Sequence, residues 1–187
     1  MTARAEAAAA TGERILDATE DLFWAGPVDR MSLDDVAKRA GVTVQTVIRR
    51  YGSKDALIAA ASDRAAERVR SQRDEAPVGD VARAVANLLD HYEGMGERAL
   101  RLLAEEDTGP TMREITDRAR VIHRRWVERT FEPQLSRCRG ATRTRRLAQL
   151  VAVTDVYTWK LLRRDAGLSR PQVERALREL IDGLEEN

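Results

Sequence analysis

The sequence predicts an all-α protein. Alanine, leucine, arginine and glutamate dominate it, and all four are strong helix formers. Runs of the β-branched and aromatic residues that strands prefer are scarce, and aromatics make up only 4% of the chain. Apolar residues recur three and four positions apart, in segments closed by Gly and Pro. The expected architecture is an N-terminal three-helix domain followed by a second helical domain, about nine helices in all.

Composition narrows the function. A hydrophobic fraction of 43% across 187 residues supports a substantial core in one or two domains. Net charge is only +1, so any nucleic-acid binding must come from a local patch. The single cysteine, Cys138, excludes an intrachain disulfide and fits a reducing compartment. No apolar stretch approaches the ~18 residues of a membrane helix, and the first residues lack a hydrophobic signal core. We expect a cytoplasmic protein without a membrane partner.

In chain order, Met1 to Ala10 is an alanine-rich leader, either a disordered arm or an extension of the first helix. A helix is expected from about Gly12 to Trp24, with Ile15, Leu16, Thr19, Leu22 and Phe23 on one face, stopped by Gly26 and Pro27. Ser32 can cap a second helix, with Asp35 answering in a capping box. Its small face, Val36, Ala37 and Ala40, suits close packing. Gly41 stands where a tight turn requires positive φ. Thr43 then caps a third helix, whose Val47 and Tyr51 close a miniature core. Two short helices joined in this way form a helix-turn-helix, whose second helix enters the DNA major groove.

The charges agree. Val36 to Lys54 holds five basic residues (Lys38, Arg39, Arg49, Arg50, Lys54) and no acid, whereas Thr11 to Asp35 holds seven acids and two arginines. Phosphate neutralisation needs such a local concentration.

Residues 11–61 resemble the N-terminal domain of the TetR family of transcriptional regulators. The likeness rests on Phe23, the Ser32 helix start, Val36-Ala37, Ala40-Gly41-Val42, Thr46, Tyr51, Ser53-Lys54 and Leu57, in order and without gaps. It implies that Thr43, Val44, Gln45, Thr46, Arg49 and Arg50 lie on or beside the groove-facing surface, with Tyr51 at its edge. Gln45 suits adenine and Arg49 guanine. Ser32, Thr46, Arg50 and Lys54 would hold phosphates and fix the register. Two positions depart from the family pattern: Ile48 replaces a usual aromatic, and Arg50 a frequent histidine.

A linking helix is expected from Lys54 to about Arg73, with Leu57, Ile58, Ala61, Ala65 and Val69 inside and Asp63, Arg64, Glu67, Arg68 and Arg70 outside. Pro77 and Gly79 break the chain. Asp80 caps a helix to about Glu93 that buries Val85, Leu88, Leu89 and Tyr92. Gly94 and Gly96 read as a turn before a helix from Glu97 to Glu106. Thr108-Gly-Pro reads as a stop, and Thr111 with Glu114 as a capping box opening a helix to about Phe131 or past Pro133. Its expected inner stripe is Ile115, Ala119, Ile122, Trp126 and Thr130. Five arginines between Arg137 and Arg146 form a basic loop. The last two helices should run from Thr142 to about Arg164 and, behind a Ser169–Gln172 capping box, from Ser169 to about Leu184. Their wide apolar faces invite a second copy, giving a four-helix bundle; the resemblance also puts the dimer interface there.

No nucleophile elbow, phosphate loop, metalloprotease helix or paired-cysteine site is present, so neither an enzyme, a cofactor nor a metal is expected. His91, Tyr92, Met95, Met112, His123 and Trp126 are candidates for the wall of a ligand cavity. The sequence therefore leads to a homodimeric DNA-binding regulator of the TetR type. Residues 1–53 would bind a palindromic double-stranded operator, and residues 54–187 would dimerise and take a small-molecule effector that releases a repressor. The alternative is a helical ligand-binding or interaction protein that has lost DNA binding.

Overall fold

Side-chain oxygens placed just ahead of apolar periodic segments start several of the helices. The structure, a computed structural model, describes residues 3–185; Met1 and Thr2 of the expected arm lie outside the described residues. The described residues form ten α-helices and no strand. None of these helices is long and apolar enough to cross a membrane. The chain divides into two compact units between Ala66 and Glu67.

In the first unit, α1 runs Ala3–Ala25, so the described part of the leader extends the first helix. A single tight turn at Val28–Arg30 leads to α2, Leu33–Ala40. The Ser32 hydroxyl accepts from Asp35 N–H, and Asp35 accepts from Ser32 N–H, completing the capping box. Gly41 follows at φ 66°, the left-handed conformation that ends the helix. Helix α3 is Val44–Tyr51, capped by Thr43. Ile15, Leu16, Val36, Ala37, Val47, Leu57 and Ile58 are buried and form this unit's core.

Helix α4, Lys54–Asp74, contributes residues to both units. Its Arg64 is not the outward charge that the sequence reading makes it. The guanidinium donates to Glu13 and Asp17 at 2.7 Å each and to Glu20 at 2.8 Å, all on α1. Burial disfavours the charged form, but these three partners hold its pKa above the ordinary arginine value.

The second unit continues with α5, Val81–Ala104, capped by Asp80. This helix passes straight through Gly94 and Gly96, which correct the expected turn. Each glycine costs a helix only about 1 kcal/mol relative to alanine. Burial of Leu88, Leu89 and Tyr92 before them, and packing of Leu100 and Leu103 after them, outweighs that. The next correction is at α6, Pro110–Thr130: Gly109 occupies the cap and Pro110 the first turn, so no Thr111 box forms. Proline's fixed φ suits that position, so the expected stop is in fact a start. The inner stripe is Met112, Thr116, Trp126, Val127 and Thr130; Ala119 is exposed. Helix α7, Glu132–Ser136, follows.

The expected long helix from Thr142 is also divided. Helix α8 is Gly140–Val153 and α9 is Val156–Lys160. Asp155 causes the break: its carboxylate accepts from Tyr157 N–H at 2.9 Å, offering the backbone an alternative to the helical ladder. One wide turn, Leu161–Asp165, leads on to α10, Arg170–Glu185. Gln172 does reach back to accept from Ser169 N–H at 2.9 Å. Helix α10 packs against α5 and α8, and α9 against α5. Their shared core holds Leu88, Leu89, Phe131, Leu147, Trp159, Leu177 and Ile181.

Candidate nucleic-acid interface

The apolar face of α3 fixes which side of it meets solvent. Val47 is fully buried, so Gln45, Ile48 and Arg49 are turned outward and are exposed. Neither Gln45 nor Arg49 has a hydrogen-bond or ion-pair partner among the described residues, which leaves an amide and a guanidinium free for an external partner. Thr43 and Thr46 lie at the front of the helix. Thr46 N–H donates to Thr43 Oγ1 at 3.2 Å, and the two hydroxyls share a hydrogen bond of 2.9 Å. The orphan N–H groups at this end and the two hydroxyls suit an oxyanion. Val44 and Thr46 are half-buried, and Thr43 is exposed.

The other residues implicated by sequence are engaged within the fold. Arg50 is exposed, but its Nη1 donates to the Ala8 carbonyl at 2.9 Å. Its guanidinium lies so close over Gly12 that a Cβ there would come within 2.2 Å of Nη2. Tyr51 donates its hydroxyl hydrogen to the Gly12 carbonyl at 3.3 Å, and Lys54 donates to the Asp29 carbonyl at 3.3 Å. The Ser32 hydroxyl is exposed and is used in the capping box. Two further cations are matched by acids: Lys38 pairs with Asp34 and Arg39 with Asp21, at 2.5 and 2.8 Å. Gly12 gives no sequence signal of its packing role. Arg64 could have been found from the acids on α1, which need a counter-charge.

In the second unit, four of the six ligand candidates gather around one residue that the sequence reading passes over, Arg73 at the end of α4. Its guanidinium carbon lies 5.5 Å from the Tyr92 ring centre and 4.9 Å from that of Trp126. Its Nη1 donates to His123 Nδ1 at 2.9 Å. His91 is tilted against Tyr92 with ring centres 5.5 Å apart. Burial, reinforced by the Arg73 charge, pushes His123 down to about 3 and His91 down to about 4. Met95 instead accepts from Arg98, and Met112 is buried outside the core cluster that holds Tyr92 and Trp126.

Comparison with known proteins agrees with the first unit's geometry. Residues 15–61 match the family described as bacterial regulatory proteins, tetR family. No curated protein matches the chain. Solved structures share the fold, among them the following three. A proposed transcriptional regulator from Pseudomonas aeruginosa PAO1 is 17% identical with a TM-score of 0.71, covering 94% of this chain and 90% of its own. A transcriptional regulator from Rhodococcus sp. Rha1 is 22% identical with a TM-score of 0.68, covering 94% and 96%. A TetR-family regulator from Streptomyces coelicolor A3 is 18% identical with a TM-score of 0.58, covering 96% of each chain. The match over residues 15–61, which hold the capped α2, the Gly41 turn and the outward-facing α3, marks that segment as similar to the DNA-binding domain of the tetR family.

Proposed function

We propose that the protein is a cytoplasmic homodimeric repressor whose two copies of α3 read the half-sites of a palindromic operator, and that a small molecule in the C-terminal domain releases it. The observation that carries the DNA reading is the outward pair on α3, Gln45 and Arg49, exposed and free of internal partners. Gln45 would pair with adenine and Arg49 with guanine, since each side chain fits those donor–acceptor edges. Thr43, Val44 and Thr46 would border the groove. Ser32, Arg50, Tyr51 and Lys54 would meet the backbone, Arg50 after giving up the Ala8 carbonyl. On this reading residues 1–53 bind DNA and 54–187 bind ligand and dimerise.

The dimer reading is supported by the C-terminal helices. Tyr157, Leu161 and Leu180 are large apolar residues with 52%, 59% and 47% of their surface exposed. One side of α10 carries Glu174, Arg175, Arg178, Glu179 and Asp182 around a shallow groove. Mixed signs on one helix side are self-complementary, as a two-fold interface requires. Helix α4 is the lever, because it runs from the DNA-binding unit to Arg73. Selecting fragments from random duplex DNA tests the proposal: enriched inverted repeats are expected, and no enrichment at low salt overturns it.

A further inference from the structure

Arg73 is 4% exposed, and its Nε has no hydrogen-bond partner. It makes no ion pair among the described residues. A buried charge without a counter-charge is costly, and proteins normally pair it. Acids adjoining Arg73, His91 and Tyr92 in the sequence are committed elsewhere. Asp74 pairs with Arg129 at 2.9 Å, Glu93 with Arg163 at 2.8 Å and Asp90 with Arg170 at 2.5 Å. Asp155 caps α9.

The side chains that touch the Arg73 guanidinium are neutral, and Arg129, which donates to the Arg73 carbonyl at 3.2 Å, carries its own partner in Asp74. Arginine has only donors, so His123 Nδ1 must accept its hydrogen bond and the imidazole is uncharged. The proton then sits on Nε2, which faces Thr154 Oγ1 at 3.2 Å and the Val151 carbonyl at 3.4 Å. Tyr92 donates to the Thr154 carbonyl at 2.9 Å, and Trp126 to the Arg73 carbonyl at 3.2 Å. Two further buried donors lack an acceptor: Arg129 Nε, and Trp159 Nε1 on the ring 5.8 Å from Tyr92. Within the second unit the box thus holds a guanidinium without a carboxylate, two histidines with depressed pKa values, aromatic walls and unfilled donors.

We propose that this box is the receptor site for the effector, and that the effector is a small aromatic monocarboxylate whose carboxylate seats on Arg73. This rests on the ligand-responsive regulator proposed above. A monoanion balances the single guanidinium, whereas a phosphate dianion would leave a buried negative charge. The Nε edge of a guanidinium takes a carboxylate through two parallel hydrogen bonds. The rings of Tyr92 and Trp126, which already flank the guanidinium, would stack on a planar guest. Because Arg73 is closed over in this structure, the carboxylate must bind a conformer with the rings parted. Selective binding of one conformer is what an effector requires.

The test uses the full chain with benzoate, phenylacetate and 3-phenylpropionate, each beside its primary amide, and inorganic phosphate as a further anion. Tryptophan fluorescence and thermal unfolding are read without DNA, and operator release separately. At least one carboxylate should bind tenfold or more tightly than its amide, since the amide lacks the charge. At a hundredfold excess over Kd it should raise the unfolding midpoint by roughly 5 °C. Phosphate should do neither. R73M should fold with an unchanged or higher midpoint, because an apolar side chain replaces an unpaired charge, and should lose the carboxylate response. If R73M does not fold, the wild-type difference between carboxylate and amide decides alone. Equal responses to acid and amide, or none, overturn the site. Binding without operator release overturns the effector role and leaves DNA recognition standing.

Discussion

The indole of Trp159 lies directly on the backbone of Gly96: a Cβ at Gly96 would approach Trp159 Cζ3 to 2.5 Å and Cη2 to 2.6 Å. Trp159 is 1% exposed and has no room to retreat. Gly94, two residues earlier on α5, has nothing within 4 Å of such a Cβ. The two glycines should therefore respond to alanine with opposite signs. Gly96→Ala should destabilise by about 1–3 kcal/mol through overpacking, and Gly94→Ala should stabilise by roughly 0.5–1 kcal/mol through helix propensity. Urea unfolding midpoints check both.

On DNA, Gln45→Ala should relax base preference at one position of each half-site, at a cost of about 1–3 kcal/mol for the preferred sequence. Lys54→Ala should weaken binding to all sequences alike and reduce the salt slope by about 1. Fluorescence anisotropy against operator and scrambled duplexes, at several salt concentrations, separates the two. If both variants bind as wild type does, the proposed docking is wrong.

Leu161→Asp and Tyr157→Asp place charges on exposed apolar side chains next to α10. They should convert the proposed dimer to monomer at micromolar concentration while leaving helix content unchanged. Light scattering coupled to size exclusion, with circular dichroism, reads both. An unchanged mass for the double variant would rule out this face.

The pH dependence of stability follows from the Arg73 box. His91 and His123 ordinarily titrate near 6.5, and in the fold they are pushed down to about 4 and about 3. Below about pH 6.5 the unfolded chain binds protons that the folded chain refuses, so stability falls with acidification until the folded values are reached. Each histidine removes up to about 1.4 kcal/mol per pH unit in that window. Glu93 and Asp35, whose pKa values are held down by hydrogen bonds from Arg163 and Ser32, add their loss at lower pH. Unfolding midpoints at pH 7 and pH 5 should differ clearly, and R73M should narrow the gap because the Arg73 charge depresses both histidines.

The DNA-binding unit was legible in the sequence because its signals are local. Ser32, Asp35, Gly41 and Thr43 each specify the backbone within three residues of themselves. Gln45 and Arg49 come from the family resemblance, and the burial of Val47 turns both of them outward. The errors occur where tertiary packing overrides local preference, as at Gly96, or where a local cap goes unread or a proline is read for the wrong helix end, as at Asp155 and Pro110. Gly94 and Gly96 look like a turn until Trp159 covers one of them, and the expected helix from Thr142 runs through Asp155, which in the structure caps α9. Arg73 was the least legible residue. A charged side chain at a helix end ordinarily points to water, and nothing nearby in sequence announces the rings of Tyr92 and Trp126, 19 and 53 positions away. Arg64 looked like its neighbours on α4, although the acids on α1 were visible all along.

One guanidinium, that of Arg64, answers three carboxylates on α1. Losing that guanidinium would leave Glu13, Asp17 and Glu20 repelling one another along α1. Exposed Arg49 would draw a diffusing polyanion toward α3 before contact is made. Such steering acts on association rate rather than on the final grip, and it fades as salt shortens the reach of the field to about 8 Å.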